Sequence, residues 1–313
     1  MKNLKYCLLV IGIILLSFSC KKKKLAEEAI LNEIALDNFF EDNNEDAKQH
    51  WTVSAEYPFY LVSAKGIGIY LPANSLVDAN GDLVTGDVNV SFIEIDKKSE
   101  MVLLNKSTAC VLANGDRSTL ISDGEFYVDI TQNGEELTHT EPLLIYTNIP
   151  FDDSDMRKFV NISENEDILW EISGDSILFM DGELEGMTSF YIPPGESWGW
   201  TNLDKYATDP RPKTGIYAEL PEGFDDGNTE IYVSFDNENA LAHFGFWVDG
   251  RFAHSYPTFP IGLEVHFVAV SMDDENLHYA IQSAIIGNEH VEVITGFEPV
   301  TQDALGELID NLP

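Results

Sequence analysis

The sequence predicts a mainly β protein: two Ig-like β-sandwich segments, preceded by an N-terminal tether helix and followed by a short C-terminal helix. Three observations carry this prediction. From Trp51 onward, apolar and polar residues alternate with period two in one short run after another. Turn residues, above all Asn-Gly pairs and Asp-rich clusters, separate these runs at the roughly 8–12-residue spacing of a sandwich. Helical spacing of apolar side chains is confined to short stretches near the two ends. A hydrophobic content of 44% with 11% aromatic residues is too high for a disordered acidic chain, so packed cores are expected.

At the N-terminus, Lys2 and Lys5 precede an unbroken apolar run from Tyr6 to Phe18. At about 1.5 Å per residue this run falls short of the roughly 30 Å hydrocarbon core, so residues 1–19 read as a signal peptide rather than a membrane span. Ser19 and Cys20, followed at once by polar residues, resemble a bacterial lipobox, which implies acylation of Cys20 after cleavage. The four residues Lys21, Lys22, Lys23 and Lys24 would then lie at phospholipid headgroups, each contributing about 1 kcal/mol if the leaflet is anionic. Acyl chains hold far more strongly, so these lysines orient the chain more than they anchor it. Residues 25–40 read as a short amphipathic helix, with Ala26, Ile30 and Ile34 on one stripe and Phe39 and Phe40 closing it before Asn43 and Asn44; it is a tether helix packed on the body or, alternatively, a disordered spacer.

The remaining chain divides at changes of texture. Residues 20–50 hold the lipidated cysteine, the lysine run and the tether helix; residues 51–150 form a first β-sandwich domain; residues 151–214 form a connecting β/loop region; and residues 215–313 form a second β domain with the C-terminal helix. In the first domain, the alternating runs around Ile69 and Val90 flank Asp78-Ala79-Asn80-Gly81-Asp82, whose Asn-Gly supplies the positive φ of a tight hairpin. The run Glu125 to Thr131 leads into a second such signal, Asn133-Gly134. In the last domain, Leu263 to Val270 is expected to pair with Leu277 to Ile286. From Asp303 to Leu312 the spacing of Ala304, Leu305, Leu308 and Leu312 predicts a helix, with Thr301 as its N-cap.

Charge excludes one class of partner. With 54 acidic against 18 basic side chains, net charge −36 and pI near 4.2, the field repels polyanions, so nucleic acid is not expected. Loss of Lys2 and Lys5 with the signal peptide deepens the charge to −38. Cys110 is then the one thiol left beside the acylated Cys20, and it reads as a small buried hydrophobe on a strand.

No catalytic, metal or cofactor site is expected. Gly195-Glu196-Ser197-Trp198-Gly199 matches the nucleophile-elbow pattern, but that chemistry needs a strand before the serine and a helix after it, and Pro193 and Pro194 interrupt the strand. The seven histidines are dispersed without metal-ligand spacing. The acidic clusters near Asp152, Asp225 and Asp273 read as solvated loops. The candidate ligand-binding residues are Trp198, Trp200, Asn202, Asp204 and Tyr206, because flat aromatics beside polar groups are how β-sandwiches grip sugar faces. The preferred reading of these residues is that the aromatics fill a core or lie between domains, with Asn202, Asp204 and Lys205 as a polar clasp at that junction.

Several runs together resemble an uncharacterised group of Bacteroidota exported lipoproteins, whose first domain resembles the β-sandwich of zonula occludens proteins, netrin receptors and ankyrins. The residues that carry the resemblance are Gly66 to Gly81 with Gly86-Asp87-Val88, Ser122 to Tyr127, Gln132 to Leu137, Gly199-Trp200-Thr201-Asn202-Leu203-Asp204-Lys205-Tyr206 and Pro260 to Val265. The resemblance implies a non-enzymatic lipoprotein, held in a lipid bilayer through Cys20. Some relatives reach the cell surface through an acidic signal after the lipidated cysteine; the four lysines depart from it. The expectation is therefore an outer-membrane, periplasm-facing structural or interaction module with an unassigned protein or glycan partner. The alternative is a glycan- or peptide-binding accessory lipoprotein that uses residues 198–206.

Overall fold

The computed structural model describes residues 33–147, 155–163, 168–174, 178–179, 188–254, 256–273 and 276–313. The signal peptide, Cys20, the lysine run and the start of the tether helix lie outside the described residues, as do residues 148–154, which include Asp152, and residues 274 and 275. The chain is mainly β, as the alternation predicts, with helices at both ends of the described chain and one between. These are α1 (33–47), α2 (Lys98–Leu103) and α3 (Gln302–Asp310).

The first β body packs two sheets. One runs in the order Gln49–Ser54, Asp87–Ile95, Arg117–Gln132, Gly199–Tyr206, Arg157–Asn161, Trp170–Ile172, Ala109–Val111; the other runs Leu178–Phe179, Thr188–Ile192, Leu143–Thr147, Gly68–Leu71, Phe59–Val62. Inward positions of both sheets, among them Ile69, Phe92, Phe126, Val128, Ile145 and Phe190, form one core. Ala109–Val111 also pairs with the start of Arg117–Gln132, so the large sheet closes on itself as a ring of strands. Cys110, Leu120, Phe159, Ile168 and Trp170 fill this ring.

Two sequence expectations change here. The region 151–214, which composition reads as a connecting β/loop region, supplies paired strands to both sheets of the first body. Pairing across long sequence separations is invisible to local texture. The Asn80-Gly81 turn does form, with Gly81 at φ +83°. It closes a miniature hairpin in which Val84 N–H donates to Leu76 O, while Gly68–Leu71 and Asp87–Ile95 go to opposite sheets. By contrast, Asn133-Gly134 joins directly paired strands, Thr131 lying opposite Glu136.

The second body packs the sheet Leu241–His243, Thr229–Phe235, Glu264–Asp273, Asn276–Ile285, Glu298–Pro299 on the sheet Phe246–Val248, Arg251–Ala253, Ile216–Glu219, His290–Val293. Its core is apolar throughout, built from Ile216, Ile231, Val233, Phe252, Val265 and Phe267 with their neighbours. A third layer joins the bodies: Leu36 and Phe40 of α1, Met101 and Val102 of α2 and Leu305 and Ile309 of α3 lie in one cluster with Ile95 of the first body and Tyr232 and Val268 of the second. In α1 the buried stripe is Leu36, Phe40 and Asn43, whereas Ile34 is 49% exposed. In α3 the predicted cap holds, Thr301 accepting from Ala304 N–H at 3.3 Å, but Ile309 rather than Leu308 is buried beside Leu305.

Candidate functional site

Strand Gly199–Tyr206 lies inside the large sheet, between Arg117–Gln132 and Arg157–Asn161. Its register against Arg117–Gln132 shifts between Asn202 and Asp204, so that Asn202 faces Glu125 and Asp204 faces Ser122. The extra residue lies at Asp123-Gly124, a β-bulge. Alternation along Gly199–Tyr206 puts Trp200, Asn202, Asp204 and Tyr206 on one face, turned toward the ring and the helical layer, and the bulge brings both Ser122 and Glu125 to the same side beside them.

The five sequence-predicted residues divide accordingly. Trp198 belongs to the sandwich core: its Nε1–H donates to Leu137 O, and its ring stacks on His139 with centroids 4.4 Å apart. Trp200 is half-buried, tilted against Tyr127 at 5.4 Å, with the Lys106 ammonium 5.4 Å from its ring centre. Tyr206 meets Phe159 edge-on at 5.3 Å. Asn202 and Asp204 are fully buried. The two tryptophans are not displayed together, and a glycan platform here would have Trp200 alone.

What the stripe forms instead is a buried polar junction. Asn202 Nδ2 donates to Asp204 Oδ2 at 2.6 Å, and Ser122 Oγ donates to Asn202 Oδ1 at 3.3 Å. Glu125 is fully buried and neither carboxyl oxygen has a hydrogen-bond partner among the described residues; Asp204 Oδ1 lacks one as well. Burial pushes the Glu125 carboxyl up to about 8, against a smaller pull downward from the Lys106 ammonium. Burial and the neighbouring Glu125 raise Asp204 well above the usual carboxylate range. Sequence reading missed Ser122, Glu125 and Lys106. The available signal was Gly124, a glycine inside an alternating strand pattern, which marks a bulge.

Two clefts open near this junction and share Asn105 and Ile168 on their walls. One, of about 460 Å³, lies between α1 and the ring, lined by Asp37, Glu41, Glu45, Lys106, Trp200 and Glu230 among others. The other, of about 280 Å³, lies between the ring and the second body, with Arg117, Ser118 and Leu169 on one side and His243, Phe246 and Tyr256 on the other. His243 Nε2 contacts Glu230 at 2.5 Å, so this pair stands between the clefts. Burial lowers His254 below the usual imidazole range, and its Nδ1 faces Tyr256 O at 3.2 Å.

The other sequence motifs take simple places. Ser197 is exposed on a turn that leads into a strand, not a helix. Cys110 is buried inside the ring, where desolvation pushes its thiol up to about 12. No family model matches the chain, and no curated protein matches it.

Proposed function

We propose that the protein is a membrane-anchored, non-catalytic envelope lipoprotein acting as a structural or interaction module, facing the periplasm from the outer membrane. The observation that carries this reading is the seating of α1. The helix that follows the lipobox-like segment buries Leu36 and Phe40 in the layer joining both β bodies. Asn43 and Asn44 of α1 donate to the carbonyls of Leu103 and Leu104 at the end of α2, at 2.9 and 3.0 Å. An anchor at Cys20 would therefore be joined to a rigid body rather than to a loose tail. The 13 steps from Cys20 to Glu33 reach at most about 45 Å, which keeps the body near the bilayer. Among the described residues no helix is long and apolar enough to cross a membrane. The resemblance to exported lipoproteins supports the same address.

The test is Cys20→Ala with fractionation and metabolic labelling by a clickable fatty acid. Wild-type protein should pellet with membranes and carry label, whereas the variant should lose the label and its membrane association. A labelled variant, or one that still pellets, removes the anchoring claim.

A further inference from the structure

Arg117 and Arg251 each lie over a tyrosine ring with no carboxylate partner among the described residues, and of the two it is Arg117 that lines a cleft. The chain carries 54 acidic and 18 basic residues, so a cation here has no shortage of carboxylates. Other basic side chains use them: Lys65 bonds Asp96 and Glu100, Lys158 meets Glu196 at 3.4 Å, and Arg211 meets Asp209 at 2.5 Å. The half-buried Arg117 side chain makes no hydrogen bond and no ion pair among the described residues. Its guanidinium lies over the Tyr256 ring, 5.6 Å from the centroid, at the wall of the 280 Å³ cleft between the two β bodies. This cation–π contact holds the guanidinium at the cleft wall and uses none of its N–H donors, so the planar fork that matches a carboxylate in two-point contact remains available.

The surroundings narrow the ligand. Among the described residues Arg117 is the only lysine or arginine on this cleft's wall; His243 is already engaged by Glu230, and His254 is held toward its neutral form by burial. One fixed positive charge within a strongly acidic body suits a monoanion and disfavours phosphates of higher charge. Ile168, Leu169, Ala109 and Phe246 supply apolar wall beside Ser107 and Ser118. The volume of about 280 Å³ lies just below the roughly 300–1,000 Å³ of ligand sites, which suits one or two residues rather than a long chain. The strand Phe246–Val248 is an outer strand of its sheet, with Phe246 53% and Val248 50% exposed, so an extended chain leaving the cleft has an open edge to follow.

We propose that this cleft binds a carboxylate carried on an apolar residue, with Arg117 clamping the carboxylate and Phe246 contacting the apolar group. A free acylated amino acid and the C-terminal end of a peptide share that chemistry. The site does not depend on acylation of Cys20, so its failure and the failure of the anchoring reading are separate results.

Calorimetric titration of the full-length protein, purified in detergent, tests it with four probes: N-acetyl-leucine, N-acetyl-leucine amide, and a leucine-terminated pentapeptide with free or amidated C-terminus. The free acids should bind saturably and the amides about tenfold more weakly or worse, the effect expected when a charge-assisted bond is removed. Arg117→Gln should reproduce that loss with an unchanged unfolding temperature, and Arg117→Lys should recover part of it. Tighter binding of the peptide than of N-acetyl-leucine identifies a peptide end as the ligand; equal binding identifies a small acid. The proposal is overturned if acid and amide bind alike, if Arg117→Gln binds as wild type, or if no probe gives saturable heat. Should Arg117→Gln fail to fold, the acid–amide comparison on wild type decides alone.

Discussion

The two β bodies bury their central strands in different ways. In the second body Glu264–Asp273 lies between an apolar core and the apolar helical layer: Val265, Phe267 and Ala269 point one way, Val268 and Val270 the other. In the first body Arg117–Gln132 turns Phe126, Val128 and Ile130 into an apolar core, but its other face carries Ser122 and Glu125 into the junction with Asn202 and Asp204. Both strands are covered on both faces, yet only one is apolar on both. Double coverage need not be matched by double hydrophobicity: a carboxyl group can be enclosed if it keeps its proton, and the cost then appears in pH dependence rather than in the fold.

The largest expected effect lies on the apolar side. Phe267→Ala removes a fully buried ring from the second core and should lower stability by about 3–5 kcal/mol in urea unfolding. A loss below about 1 kcal/mol would mean that this core collapses around the gap and is less rigid than its packing implies.

The junction is probed next by Glu125→Gln. The folded-state value of about 8 lies above the ordinary 4.5, so the native state holds a proton that the unfolded state releases. The stability tied to that proton is complete below pH 4.5 and is lost as pH rises through about 8, at about 1.4 kcal/mol per unit in between. Asp204 contributes with the same sign. Relative to wild type, Glu125→Gln should therefore gain about 4 kcal/mol from pH 5 to pH 8, leaving a net of roughly 1–3 kcal/mol at pH 8 once the pH-independent cost of an imperfectly bonded amide is subtracted. Parallel urea midpoints for the two proteins across that range would show that Glu125 is solvated.

The smallest effect concerns the bulge. A Cβ on Gly124 would lie 2.7 Å from Cζ of Phe126, whose ring is held between Phe92 at 6.2 Å and Phe190 at 5.5 Å and cannot swing away. Gly124→Ala should cost about 1–3 kcal/mol, read from the urea midpoint, by forcing the strand to shift. A neutral substitution would show that the bulge relaxes without disturbing the core.

Much of this was legible in the residues. Period-two alternation located most of the longer strands, Thr301 marked the start of α3, and Asn133-Gly134 marked a hairpin that pairs as expected. The candidate stripe was legible as a stripe but not as a site. Trp200, Asn202, Asp204 and Tyr206 do share a face, while Trp198, which precedes the strand, enters the other core. Alternation around Phe126 predicts that Glu125 and Tyr127 look outward, and locally they do; the ring and the helices then cover that outward face. Nothing within a few residues of Glu125 announces that cover, because Lys106 and the residues of the ring and helical layer come from other parts of the chain.

The sequence by itself determined the β class, the element types at both ends, the acidic surface and the lipobox-like start. Each of these rests on composition or on spacing within a dozen residues, where backbone geometry alone sets the period. Tertiary structure alone decided that residues 157–206 complete the first body, that a carboxyl pair is sealed at the junction, and that Arg117 faces a cleft without a carboxylate partner among the described residues. These depend on which distant strands close on one another, and strand pairing is a long-range choice that short-range patterning permits but does not dictate.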